Sequence, residues 1–310
     1  MNARTRWLRL LAGMGVLVLV LGVTLGIALA VIPTWGAAPG EALMGLPGDE
    51  LAPHPLLNWT NVIEIDAPPS AVWPWIAQLG DTRGGFYSYT FIEDRVGAIT
   101  GAADYDVDYE NADRIVPEWQ HPAPGDEIIQ GMLKVLSVAP GEYLLADMVD
   151  PADLHWVWVW KLLPHNGGEQ TRLLVRFRIQ LAAEGDNPVM RGVMTVGGFV
   201  MQQRMLHGIK ARAEGGGEPA GIELVEVLLW LTTLAAAAAG AVLFVVQREW
   251  RWPLVVAVTG TVVLVAFTFI QPAIWIRVLA IAVLLAGLWW GYRPQPGRRS
   301  LRLRPQAMAR

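Results

Sequence analysis

The sequence predicts an α+β chain in which one mixed domain lies between a single apolar helix and a group of three. Apolar residues collect in four blocks, Leu10 to Val31, Ile222 to Val246, Pro253 to Ile270 and Ala273 to Tyr292. Each is close to the roughly 20 residues that cross about 30 Å of hydrocarbon. Between the first two blocks, Gly- and Pro-punctuated segments alternate with period two, as half-buried strands do. A long stretch with apolar residues at helical spacing closes that region.

Composition agrees with a membrane chain. It is 53% hydrophobic over 310 residues, high for a soluble protein. From Pro33 to Gly221 there are 12 Lys/Arg against 25 Asp/Glu, a net of −13. The remainder holds 12 Lys/Arg against 3 Asp/Glu, a net of +9. An acidic domain with basic ends argues against nucleic-acid binding, which needs a basic face. The absence of cysteine excludes disulfides and thiolate chemistry.

Residues 1–32 form a short N-terminus and the first span, with Arg4, Arg6 and Arg9 ahead of it. Ala28-Leu29-Ala30 resembles a signal-peptide cleavage site, but the apolar core exceeds a usual 7–15-residue h-region, so the expectation is an uncleaved anchor. Residues 33–57, rich in Pro and Gly, read as an extended juxtamembrane linker rather than a packed element. Trp59 to Asp66 reads as the first strand. Ser70 then offers an N-cap for a short helix that Gly80 and Gly84-Gly85 stop. An aromatic turn follows with Phe86, Tyr87, Tyr89 and Phe91.

Residues 101–113 are an acidic loop, and 112–120 lead into a Pro- and Gly-rich turn. Strands are expected over 128–138, 142–148, 155–163 and 170–181, an antiparallel meander. Trp156, Trp158 and Trp160 share one face of their strand. In the next strand Leu173, Val175, Phe177 and Ile179 face opposite Arg172, Arg176 and Arg178, and the arginine side reads as solvated. A helix opens near Asp186-Asn187-Pro188 and runs to about Ala213, interrupted by Gly192, Gly197 and Gly198. The domain thus covers 58–214, a linker 215–221, three spans 222–292 and a basic tail 293–310.

Strand, short helices, antiparallel sheet and a long C-terminal helix across its concave face is the helix-grip plan. On the segments Trp73 to Gly97 and Ala112 to Glu127 and the closing helix, the domain resembles the START-like (SRPBCC, polyketide cyclase/dehydrase-like) superfamily. It looks most like the bacterial membrane-anchored members. That resemblance implies a cavity for a hydrophobic small molecule or lipid more strongly than it implies a reaction.

The residues expected to meet such a ligand are Tyr87, Tyr89, Phe91, Glu93, Asp94, Trp119, Trp156, Trp158, Trp160, Met194, Met201 and Met205. Aromatic walls supply apolar area, and methionines adapt to irregular shapes. The same periodicity also describes a filled core. Asp81, Glu93, Asp94, Asp113, Glu118 and Asp126 with His121 are candidates for an acid/base pair, or else local ion pairs and loop caps. Asp104, Asp106, Asp108 and Glu110 fail the calcium-loop pattern, since Tyr109 and Ile115 stand where Gly and Glu are needed. The five histidines have no metal-ligand spacing, no phosphate loop or Gly-x-Ser-x-Gly elbow occurs, and no cofactor is expected.

The expected function is binding or transfer of a hydrophobic molecule, with a cyclase/dehydratase-like enzyme and a ligand-free sensor module as alternatives. Arg4, Arg6, Arg9, Arg248, Arg251 and the six arginines after 292 fall on one side if four helices span. The positive-inside rule then places both termini in the cytoplasm and the domain outside. Arg277, near the outer end of the last span, is the exception and can snorkel. A reporter active only outside the cytoplasm should therefore work when fused after Gly217 and fail after Arg304; the opposite pattern reverses the orientation.

Overall fold

A computed structural model of the chain describes residues 3–90, 111–148, 154–181, 187–247 and 249–292. It is a mixed α+β structure with one six-stranded antiparallel sheet and four apolar helices of membrane-spanning length. These helices are α1 (Ala3–Val31), α5 (Ile222–Val246), α6 (Arg251–Phe269) and α7 (Ile274–Tyr292). Between α1 and α5 lie α2 (Pro39–Ala42), β1 (Leu57–Ile65), α3 (Pro69–Ala77), β2 (Glu127–Ile129), β3 (Leu133–Ala139), β4 (Tyr143–Met148), β5 (Leu154–His165), β6 (Gln170–Leu181) and α4 (Pro188–Ala213). The contacts divide into two units. One comprises 1–21, 229–264 and 273–310; the other comprises 22–228 and 265–272.

In the first unit the helices meet through small residues, which bring backbones close where lipid supplies no hydrophobic drive. A Cβ on Gly240 would lie 2.8 Å from the Ala257 backbone nitrogen, and one on Gly260 2.8 Å from the Ala237 methyl. Ala236, Val256 and Leu284 form the buried cluster there.

In the second unit the sheet order is β1-β6-β5-β4-β3-β2. Most strand joints agree with the alternation in the sequence, but the expected strand over 128–138 is two strands. Gln130, Gly131 and Met132 form the turn of a hairpin, with Gly131 at positive φ. A single glycine inside an alternating run reads as a bulge as easily as a turn. The helix after β1 also starts differently: Pro68 is its N-cap, Pro69 its first residue, and Ser70 lies inside it. Proline's fixed φ suits the first helical position, so no hydroxyl cap is used.

Register sets two faces. Trp59, Phe177 and Trp158 lie in one cross-strand row, and Asn61, Val175 and Trp160 in the next. Their apolar members, with Ile65, Leu133, Val135, Leu144, Ala146, Leu162, Leu173 and Ile179, form the main core, closed by Val72, Ile76 and Leu79 of the α3 region and by Met205, Leu206 and Ile209 of α4.

The opposite face corrects the sequence reading twice. Its arginines are not solvated, and the 33–57 segment is not an unpacked linker. Arg176 is buried; it donates to Asp49 Oδ2 (2.6 Å), the carbonyls of Met44 (2.7 Å) and Ala42 (3.1 Å), and Thr60 Oγ1 (3.0 Å). Arg178 donates to the Asp49 and Ala52 carbonyls at 2.8 and 3.3 Å. Arg172 pairs with Glu41 at 2.5 Å and donates to the Gly36 carbonyl at 3.0 Å. Its hydrogen bond holds the Glu41 carboxyl below the usual carboxylate range. Leu46 packs on Val62 and Leu174, and Ala52 on Leu145, Val157 and Val159. At Gly36, φ is +71° and a Cβ would fall 2.0 Å from the Val62 carbonyl oxygen, so only glycine lets the segment meet β1 there.

Helix α4 has a comparable point of close approach. A Cβ on Gly208 would lie 2.4 Å from the Tyr87 carbonyl oxygen, whereas nothing lies within 4 Å of one on Gly192 or Gly197. Gly208→Ala should lower the denaturant midpoint of the detergent-solubilised chain, costing about 1–3 kcal/mol by overpacking. Gly197→Ala should leave stability unchanged or raise it by up to about 1 kcal/mol through helix propensity.

Candidate functional site

Among the described residues, aromatic rings gather on the inner face of β5 and β6. Strand alternation delivers Trp156, Trp158 and Trp160 to that face, with Trp156–Trp158 and Trp158–Trp160 ring centroids 6.2 and 4.4 Å apart. Phe177 on β6 meets Trp156 and Trp158 edge-on at 5.5 and 5.9 Å, and it stacks on Trp59 of β1 at 4.2 Å and 3°. Phe86 stacks on Trp158 from the turn after α3, at 5.9 Å. Trp160 is fully buried, Trp158 is 9% exposed, and Trp156 is half-buried. The indole nitrogens of all three are buried without a hydrogen-bond partner among the described residues.

Helix α4 packs into the same core from β1 and α3. Met205 belongs to the core and Met194 packs against it from a half-buried position. Gln202 ties the helix to β1: its Oε1 accepts from Trp59 Nε1 at 3.3 Å, and its Nε2 donates to Asn61 Oδ1 at 2.7 Å. Met201 lies against Ser88, whose Oγ donates to the Met201 carbonyl at 2.9 Å, and it is outside the tryptophan cluster. Val189 and Val193, part of the expected apolar stripe, are exposed.

Tyr87 and Tyr89 are buried, and Tyr87 has φ +57°. The Tyr87 hydroxyl donates to the Trp75 carbonyl (3.3 Å) and accepts from Gln78 Nε2 (3.0 Å), and the Arg212 guanidinium lies 4.7 Å from its ring centre. Burial pushes its phenol pKa up. Tyr89 has Arg204 over its ring at 5.9 Å. Trp119 is half-buried in the 3₁₀ turn Pro117–Trp119, where its carbonyl accepts from Arg83 Nη2 at 2.7 Å. Phe91, Glu93 and Asp94 lie outside the described residues, as do Asp104, Asp106, Asp108 and Glu110.

The candidate acid/base residues that are described do not meet as a pair. Asp81 Oδ2 accepts from the Gln130 backbone N–H at 2.7 Å, and Asp126 Oδ2 from that of Ala123 at 2.9 Å. Asp113, Glu118 and His121 are exposed. Among the described residues no cluster of three His, Asp or Glu is arranged to hold a metal ion.

Three polar centres escaped the sequence reading. Gln78 is fully buried; it donates to the Tyr87 hydroxyl and the Arg114 carbonyl and accepts from Val116 N and Gln120 Nε2. Asn111 accepts from Tyr87 N at 2.6 Å and donates to the Ser88 carbonyl and to Glu223 Oε1. Arg204, 1% exposed on α4, contacts Glu218 at 2.8 Å and Glu226 at 2.9 Å. Burial acts to discharge Arg204, but the two carboxylates outweigh it and raise its pKa. A polar residue between apolar neighbours, as Gln78 is between Ala77 and Leu79, is the one local signal the sequence carried.

No family model matches this chain, and no curated protein matches it. Among solved structures it is similar to the X-ray crystal structure of protein MLL2253 from Mesorhizobium loti. That match has 19% sequence identity, covers 51% of this chain and 99% of that one, and has a TM-score of 0.25. At that score the architecture rests on this chain's own geometry.

Tyr87 provides a pH test. A folded pKa above the ordinary value near 10 gives a stabilisation complete below about pH 10 and fading above it, as the unfolded phenol ionises first. Stability measured by chemical unfolding should therefore fall less between pH 8 and pH 11 in Tyr87→Phe than in the parent chain. An equal fall in both means that Tyr87 ionises freely in the fold.

Proposed function

We propose that the domain is a membrane-anchored, START-like helix-grip module that binds or hands over a hydrophobic small molecule or lipid on the outer side of the membrane. The observation that carries this reading is the aromatic wall of Trp156, Trp158, Trp160, Phe177 and Phe86, in one core with the methionine-bearing helix α4. Such a wall offers a large apolar contact area at small entropic cost, and Met194 can change rotamer to follow a guest. The four helices of spanning length support an anchor in the membrane. The arginine distribution supports both termini in the cytoplasm and the domain outside.

Binding is favoured over catalysis because, of the candidate acid/base residues, Asp81 and Asp126 accept from backbone N–H groups and Asp113, Glu118 and His121 are exposed. The chain should therefore co-purify with an apolar guest whose mass does not change on incubation.

Binding of an apolar fluorophore such as N-phenyl-1-naphthylamine measures the site directly. Trp158→Ala should weaken it about tenfold at modest cost in stability. If the parent chain neither binds the probe nor releases a guest on extraction, and Trp158→Ala costs roughly 3–5 kcal/mol, the wall is a filled core. Conversion of a co-purified guest would make the protein an enzyme instead.

A further inference from the structure

Helix α4 turns opposite faces to two different surroundings. Met205, Leu206 and Ile209 belong to the sheet core, and Gln202 reaches Trp59 and Asn61 of β1. Val189, Val193, Val196 and Val200 are spaced four, three and four residues apart, so they share the other face. Val196 and Phe199 pack with Ala28 and Ile32 at the end of α1 and with Phe269 at the end of α6. The Val200 carbonyl accepts from Gln271 Nε2, just past α6, at 2.9 Å. The face is thus covered where the ends of two apolar helices meet it. Toward the start of α4 it is bare: Val189 is 76% exposed and Val193 62%.

Exposed apolar residues scattered singly need no explanation. These two are explained by where they stand. At about 1.5 Å per residue, roughly 30 Å of hydrocarbon counted along α1 from Trp7 ends near Ile27. Counted along α6 from Trp252, the same length ends just past Phe269. Tryptophan favours the boundary between hydrocarbon and water, which makes Trp7 and Trp252 the natural starting points. Two independent counts therefore put Ala28, Ile32 and Phe269, the residues that seat α4, at the far edge of the hydrocarbon. Trp35, packed on the same cluster, is a further ring suited to that boundary.

Val193 and Val189 continue the seated face by about 5 and 10 Å beyond Val196. Thr195 tolerates an apolar setting there, because its hydroxyl donates to the Arg191 carbonyl at 2.8 Å. A Cβ on Gly192 would meet nothing within 4 Å, so the flank of this face is open as well. Lipid surrounds the ends of spanning helices, and it adjoins whatever surface continues from them.

We propose that the N-terminal half of α4 docks on the membrane that carries the chain, seating Val189 and Val193 in the leaflet on the domain's side. The strip is of the interfacial kind, whose apolar face enters the headgroup boundary by about 5–10 Å. The helix ends set the height of α4, and the two valines hold its free end down. This goes beyond ligand binding and does not depend on it, nor on which side of the membrane the domain occupies.

The natural chain has no cysteine, so single thiols can be placed for spin labelling without other changes. Full-length chains carrying Val189→Cys, Gly192→Cys or Val193→Cys are labelled and reconstituted in vesicles of phosphatidylcholine and phosphatidylglycerol. Reference labels stand at Val18, exposed on α1, and at Glu142, in the turn between β3 and β4. Relaxation by oxygen and by a water-soluble nickel chelate then reports depth. The Val189 and Val193 labels should favour oxygen over the chelate and lie about 5–10 Å inside the headgroup boundary. The Glu142 label should read as aqueous and the Val18 label as deeper than either. The Gly192 label, at a site with room for a side chain, should follow its neighbours and stands in for either one should its variant unfold.

Chelate access at these sites equal to that at Glu142 places the face in water and overturns the proposal. Protection from both reagents means that protein covers the face, and also overturns it. Spin–spin broadening in that case identifies a second copy of the chain as the cover. Each of these outcomes leaves the reading of the aromatic wall untouched.

Discussion

Arg176 is buried in the outer face of a β-sheet, and much of the domain's layering follows from that. A guanidinium at that depth is unfavourable unless carboxylates and carbonyls come to it, because its lost hydration must be replaced group by group. Asp49, Met44, Ala42 and Thr60 make that replacement, and all but Thr60 belong to the segment that follows the first apolar helix. Arg178 and Arg172 extend the same demand to Ala52, Gly36 and Glu41. The segment that links the first helix to the sheet is thereby made into a layer of it. With Leu46 and Ala52 seated among valines and leucines, both faces of the sheet are covered.

Closure of the outer face leaves the inner face to α3 and α4, and α4 meets several demands at once. Toward the sheet it offers Gln202, Met205, Leu206 and Ile209. On another side Val196 and Phe199 pack with Ala28, Ile32 and Phe269, the ends of two apolar helices. Toward the chain that follows it offers Arg204 to Glu218 in the connecting segment and to Glu226 in α5. A helix held on three sides has little freedom to tilt, and Gly208 against the Tyr87 carbonyl fixes how near it comes to the turn after α3. Its N-terminal end, with Val189 and Val193 exposed, is held less closely.

Much of this architecture was legible without coordinates because it depends on local periodicity. The four apolar blocks, the inward tryptophans of β5 and the inward Leu173, Val175, Phe177 and Ile179 of β6 follow from one repeat of hydrocarbon thickness and another of two residues. A side chain's face is a property of its own strand, so its neighbours in space need not be known. The candidate site was legible to the same extent: the aromatic face could be read, while the partners of its polar atoms could not.

What the sequence by itself determined about this protein is the mixed α+β class, the apolar helices and which residues of each strand share a face. Tertiary structure alone decided what covers those faces. Three arginines alternating with apolar residues have the pattern of a solvated surface, and only the return of a segment more than 120 residues earlier pairs them and buries Arg176. Glycines 192, 197 and 208 look alike in the sequence, yet only Gly208 meets a backbone. The donor of Trp59 meets Gln202, and those of Trp156, Trp158 and Trp160 have no acceptor among the described residues. Pairing and close approach depend on residues far apart in the chain. Periodicity records which way a side chain points, and folding decides what it meets.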